Sequence, residues 1–205
     1  MTQEIRIYLV DDEPDVTRGL SWLLESVDLK AEAHHRADPF LSSLAGHAGP
    51  ACAVLDLRMP GLSGIEVMER LVARRPDVPI IFLSAHGDVP SAVRAMKLGA
   101  FDFLQKPFNP QQFLECINRA RLSAVDRHAE WLKRRDYDES LSRLSVRERE
   151  VLELMLEGGS SKEIGRRLDI SPKTVDVHRA NILRKLEVGN ARELTSRFRI
   201  ALKKD

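Results

Sequence analysis

"IYLVDDEPD", Ile7 to Asp15, sets an apolar run directly against four carboxylates. Apolar residues on both faces of a short run mark a strand buried from two sides, as in a parallel sheet covered by helices. Acids at the end of such a strand need an explanation, because Asp11, Asp12 and Glu13 repel one another. The combination needs a cation or another reason.

The pattern continues outward from this stretch. Apolar runs recur at "ACAVLDL", "VPIIFLS" and "FDFLQ", with a weaker strand at "KAEAHH". Between them lie the helical segments "PDVTRGLSWLLESV", "DPFLSSLAG", "GIEVMERLVARR", "DVPSAVRAMKLG" and "NPQQFLECINRARL". Leu20, Leu23, Leu24 and Val27 recur at helical spacing and predict one buried face. Strand and helix alternating five times predict an α/β unit, a doubly wound five-stranded parallel sheet of flavodoxin-like type.

From Leu122 to Leu144 the chain is charged yet free of Pro and Gly, which predicts a helical linker anchored by Trp131 and Leu132. Beyond it the signals are helical only. Ser145 with Glu148 and Ser160 with Glu163 read as capping boxes, and Ser171–Pro172 opens a further helix. With a helix from about Ala191 to Leu202, these segments predict an all-α four-helix unit. The expected division is 1–122, a helical linker at 123–143, and 144–205.

The two parts differ in charge: residues 1–120 hold 12 Lys and Arg against 16 Asp and Glu, a balance of −4, and the rest hold 20 against 15, or +5. A basic rear half suits a polyanionic partner. Cys52 and Cys116 have no metal-ligand spacing and fit a reducing compartment. No signal core or membrane-length apolar run appears, so a soluble, cytoplasmic protein is expected, without a membrane partner. His34 and His35 are adjacent on a strand and point to opposite faces, which argues against a metal pair.

Parallel α/β sheets bind ligands at the carboxyl ends of their strands. Asp11 and Asp12, Asp56 in "VLDLRMPG", Ser84 in "FLSAHG" and Lys106 in "FLQKPF" all stand at such ends. Carboxylates at this density call for a divalent cation, and Mg²⁺ suits oxygen ligands. A dehalogenase-like phosphatase is excluded by Arg58, which stands where that fold needs a second Asp.

"VDDEP", "LDLRMPGLSG", "LSAHG" and "FLQKPF", in this order, resemble a response-regulator receiver domain over roughly residues 4–122. "AHGDVPSAVRAMKLGAFDFLQKPF" is similar to the FixJ branch. The resemblance implies that Asp56 accepts a phosphoryl group from a sensor histidine kinase. It implies that Asp12, Asp56 and the Arg58 carbonyl hold Mg²⁺, with Asp11 acting through water. Lys106 would pair with the phosphoryl oxygens, Ser84 would hydrogen-bond one of them, and Phe103 would turn inward on activation. Many relatives carry Tyr at that position, so a packing switch is implied rather than a hydrogen-bonded one. Such a receiver catalyses only its own phosphorylation and dephosphorylation and is otherwise no enzyme. Arg58 and His86, two residues past Asp56 and Ser84, are expected to overhang the acyl phosphate and tune its lifetime.

Residues 144–202 resemble a LuxR-type helix-turn-helix domain, with the helix from Ser160 as scaffold and that from Ser171 as recognition helix. At about 100° per residue, Val175, Ile182 and Leu186 share an inner face, with His178 and Leu183 at its margins. Asp176, Val177, Ala180 and Asn181 are expected to meet base edges, and Lys173, Thr174, Arg184 and Lys185 phosphates. Arg179 falls nearer the core arc and receives no role. The resemblance implies a transcription factor that forms a homodimer when phosphorylated, binds double-stranded DNA at an inverted repeat and addresses RNA polymerase. Val89, Ala92, Arg94, Ala95 and Asp102 are the expected dimer face. The alternative is a regulator of the same architecture controlled independently of phosphorylation.

Overall fold

The structure, a computed structural model, describes residues 5–85 and 89–198. Two compact units divide the chain between Trp131 and Leu132.

The first unit holds β1 (Arg6–Val10), α1 (Pro14–Glu25), β2 (Ala31–His34), α2 (Ala37–Gly46), β3 (Ala51–Asp56), α3 (Gly64–Arg74), β4 (Ile80–Ser84), α4 (Val89–Lys97) and β5 (Asp102–Gln105). The strands form one parallel sheet in the order β2-β1-β3-β4-β5. Successive side chains of a strand point to opposite faces, and β1 divides its residues between two cores in this way. Tyr8 and Val10 join Phe40, Leu55, Met68 and Phe82 in one core beneath α2 and α3. Ile7 and Leu9 join Leu24, Val54, Ile81, Phe113 and Ile117 in the other, beneath α1 and the start of α5 (Pro110–Ser142). Both cores are sealed, which is why these strands read as continuous apolar runs.

Two helical phases differ from expectation. α1 stops at Glu25, and Val27 lies in the turn before Asp28, whose φ is +58°, leaving Val27 45% exposed. On α4, Ala95 is fully buried in the core, whereas Val89, Val93 and Met96 are exposed. Ala95 is therefore not available to a dimer face; the apolar row at helical spacing that reaches solvent is Val89, Val93 and Met96.

α5 is one helix from the core of the first unit through the polar stretch. In the second unit α6 (Val146–Leu156), α7 (Ser161–Leu168), α8 (Pro172–Lys185) and α9 (Ala191–Phe198) follow in short succession. Ser145 and Ser160 close both halves of their capping boxes, with Glu148 and Glu163 respectively, and Ser171 caps α8 through the amide of Thr174. Each such cap contributes about 1 kcal/mol, which matters for helices of this length. Val151, Leu152, Ile164, Val175, Ile182, Leu186, Leu194 and Phe198 form the core. A side chain at Gly165 would stand 2.6 Å from the Ile170 carbonyl, so glycine allows the close turn between α7 and α8.

Candidate functional site

Register brings the acids together. Val10 pairs with Leu55 and Asp56 with Leu83, so Asp11, Asp56 and Ser84 end neighbouring strands. All three are buried, at 2%, 7% and 3% exposure. The chain after β5 returns to the same rim, where the Lys106 amide donates to the Ser84 carbonyl at 2.7 Å. The Lys106 ammonium then donates to Asp11 Oδ2 at 2.6 Å and to Asp56 Oδ1 at 2.9 Å. The remaining oxygens are also held: Asp11 Oδ1 accepts from the Glu13 amide at 3.0 Å and Asp56 Oδ2 from the Arg58 amide at 2.7 Å.

The repulsion among the acids is thus relieved by direction as well as by charge. Asp11 turns inward onto Lys106, while Asp12 and Glu13 face solvent. Burial by itself would lower the Lys106 pKa, but the hydrogen bonds and charges of Asp11 and Asp56 outweigh it and raise the pKa above the usual value. The lysine therefore stays cationic throughout the physiological range. Two buried carboxylates against one ammonium leave the rim net negative.

α3 presses closely on this rim. A methyl group at Gly64 would stand 2.4 Å from the Asp56 carbonyl oxygen and 2.9 Å from the Phe82 ring. Phe103, opposite Phe82 on β5, is half-buried against the α2–α3 core. Arg58 is exposed, and His86 lies outside the described residues.

The oxygens present suit Mg²⁺. Among the described residues no three acidic, imidazole or thiol side chains form a ready-made metal cage. Mg²⁺ does not require one, since it commonly takes one or two carboxylates and keeps several waters.

In the second unit, Lys173, Thr174, Asp176, Val177, Ala180 and Arg184 are exposed on α8, and Asn181 and Lys185 are half-buried. Val175, Ile182 and Leu186 face inward as expected. Several polar groups already have partners. Asp176 accepts from the Ser161 hydroxyl at 2.6 Å, tying α8 to α7. The Thr174 hydroxyl lies 2.7 Å from that of Ser171, and Arg184 donates to Asn181 at 3.4 Å. The Lys185 ammonium is held at 2.7 Å by Glu148, a 4%-exposed carboxylate on α6. The pair fastens α8 to α6. Arg179, left without a role by the sequence, donates to the Gly159 carbonyl at 3.3 Å and so braces the α6–α7 turn. No sequence signal marks that contact, although Glu148 was legible as the third residue of a capping box.

A parallel five-stranded sheet with an acidic rim and a cross-strand lysine, followed by a small helical unit with an exposed α8 face, defines a two-domain response regulator. The chain belongs to that family: residues 7–118 match the response regulator receiver domain, and residues 142–198 match the bacterial regulatory proteins of the luxR family. Its similarity is to FixJ-type regulators. Transcriptional regulatory protein FixJ of Bradyrhizobium diazoefficiens is 40% identical, with 95% of this chain and 94% of the relative aligned. Response regulator protein TmoT of Ectopseudomonas mendocina is 39% identical, with 98% and 92% aligned. Among solved structures, response regulator StyR matches at 38% identity and a TM-score of 0.67, covering 96% of this chain and 99% of that one. Full-length FixJ from B. japonicum matches at 36% identity and a TM-score of 0.56 over the whole of both chains.

Proposed function

We propose that Asp56 is the phosphoacceptor of this response regulator and that its phosphorylation governs transcription through α8. The observation carrying this reading is the Lys106 ammonium, which bridges Asp11 and Asp56 at a buried strand-end rim. A carboxylate is a poor nucleophile toward an anionic phosphoryl group unless charge is screened. Lys106 already stands where that charge arrives.

In the proposed step a carboxylate oxygen of Asp56 bonds to phosphorus. The phosphorus–nitrogen bond of the sensor kinase's phosphohistidine breaks, and the imidazole leaves with the electron pair. Lys106 takes the phosphoryl oxygens, and the Ser84 hydroxyl donates to one of them. Asp12, Asp56 and the Arg58 carbonyl would hold Mg²⁺, with Asp11 reaching it through water; bound there, the ion neutralises charge on the transferring group. Drawing Ser84 and Lys106 inward makes space for Phe103 to change its packing. The modified receiver is then expected to pair with a second copy and place two α8 helices on an inverted repeat of double-stranded DNA. Val177, Ala180, Asn181 and Asp176 face bases in this reading, and Lys173, Thr174 and Arg184 face phosphates. RNA polymerase is the expected downstream partner and the cytoplasm the expected location. The proposed functional boundaries place the receiver at 1–122, a helical linker at 123–143 whose first part packs with the receiver unit, and the DNA-binding domain at 144–205.

The test is acetyl phosphate with Mg²⁺, read by intact mass. The parent should gain one phosphoryl group and Asp56→Asn none, while both keep the same circular dichroism. A variant that still gains the mass places the acceptor elsewhere. Operator binding indifferent to the modification would point to a regulator controlled independently of phosphate.

A further inference from the structure

The matched receiver ends at residue 118, but α5 continues through a stretch whose sequence looks solvated. Within it Ala120 and Ala124 are fully buried, and His128 is only 2% exposed. The reason is a polar cluster that precedes β4, at the end of the sheet opposite Asp56. Arg75 grips Asp77 by two parallel bonds, Nε to Oδ1 and Nη2 to Oδ2, each 2.9 Å. Its other donations go to the His47 carbonyl at 2.7 Å and the Gly49 carbonyl at 3.1 Å. His128 Nδ1 reaches Asp77 Oδ2 at 2.7 Å from α5. Trp131 closes the cluster, with the Arg75 guanidinium 4.9 Å from its ring and the His128 ring 5.6 Å away.

The protonation pattern comes from geometry. An ionised carboxylate only accepts hydrogen bonds, so His128 Nδ1 carries a proton and donates it. His128 Nε2 is buried without a partner. Arg75 already compensates the charge of Asp77 within its own loop. The added donor arrives from a helix 51 residues later, and what it accomplishes is attachment.

We propose that Arg75, Asp77 and His128 form a latch that fastens the inter-domain helix to the receiver as far as Trp131. Without it, residues 121–131 would be a charged helix segment held chiefly by Ala124 and by the Arg127 guanidinium over the Phe101 ring, and they would fray. With it, this stretch moves as part of the receiver. The proposal stands whether or not Asp56 is the phosphoacceptor.

Hydrogen exchange on the full chain tests it, comparing the parent with His128→Leu, His128→Asn and Trp131→Ala. In His128→Leu, peptides covering 121–131 should exchange about tenfold faster or more, while those covering β1, β3 and β4 keep parental rates. His128→Asn, which retains a side-chain N–H near the position of Nδ1, should recover part of the protection. Trp131→Ala should show the same local acceleration in smaller measure. Parental protection of 121–131 in His128→Leu overturns the latch. Acceleration spread evenly over the receiver also overturns it, because the residue would then serve global stability. Should His128→Leu not fold, the Trp131→Ala pattern decides by the same criteria.

Discussion

At Asp56 the backbone and side chains act on different things. The Arg58 amide secures Asp56 Oδ2 at 2.7 Å, while the Arg58 residue itself is exposed. Replacing that side chain leaves the amide, and with it the carboxylate's orientation, in place. A bulky cation near the acyl phosphate excludes or misorients the in-line water, and a methyl group does not. Arg58→Ala is therefore expected to change the decay of phosphorylated Asp56 several-fold at saturating Mg²⁺, with unchanged Mg²⁺ affinity; a parental decay rate would refute this. The same expectation attaches to His86→Ala. The acid rim was legible because Asp11, Asp56, Ser84 and Lys106 all come after apolar strands, so topology alone gathers them. What the sequence did not reveal was the division of labour within "DDE". Which acid turns inward depends on where Lys106 arrives, and Lys106 follows β5, 95 residues after Asp11.

Between elements, the Glu148–Lys185 pair joins α6 to α8. The Lys185 hydrogen bond, with further help from Ser145, holds the Glu148 carboxyl below its usual pKa. Lys185→Met should lower the stability of the DNA-binding unit by about 1–2 kcal/mol, allowing for the part-exposed lysine. Because the Glu148 pKa is lowered by folding, the pair's contribution is complete above about pH 4.5 and fades as pH falls through the folded value. The stability gap between parent and variant should accordingly narrow on acidification. Urea unfolding at pH 7 and at pH 4 measures it, and a constant gap would contradict the assignment. Helices were legible from their caps, with Ser145–Glu148 and Ser160–Glu163 standing as the sequence suggested. Phase was less legible. Ala95, expected on the dimer face, is fully buried in the core, while Val93 on the same helix is exposed. The buried side of α5 was hidden as well. Past residue 118 it consists of Ala120, Ala124 and His128, which produce no apolar stripe.

For the whole molecule, phosphorylation is expected to shift a monomer toward a dimer through the α4–β5 side, with Val89, Val93 and Met96 as its exposed apolar row. Arg94 and Asp102 on that side are engaged within the chain, with Glu69 and Arg119 respectively, so they would have to exchange partners to take part. Two α8 helices on one operator touch more phosphates and should steepen the salt dependence of binding. Sedimentation before and after modification tests the pairing; identical monomeric profiles at micromolar concentration would count against it. Joining His128 to Asp77 also has a consequence for anyone who cuts or recombines this chain. A chimera that grafts a foreign output module after residue 118 or 122 discards His128 and Trp131, although it keeps every residue of the acid rim. Burial by itself would raise the Asp77 pKa, but Arg75 and His128 outweigh it and lower it, so its stabilising effect is lost as pH falls below about 3.8. A receiver fragment ending at 122 should consequently unfold at a higher pH, and melt several degrees lower at neutral pH, than one ending at 135. The seam at which evolution or an engineer can exchange modules without penalty lies past Trp131, beyond residue 118 where the receiver match ends.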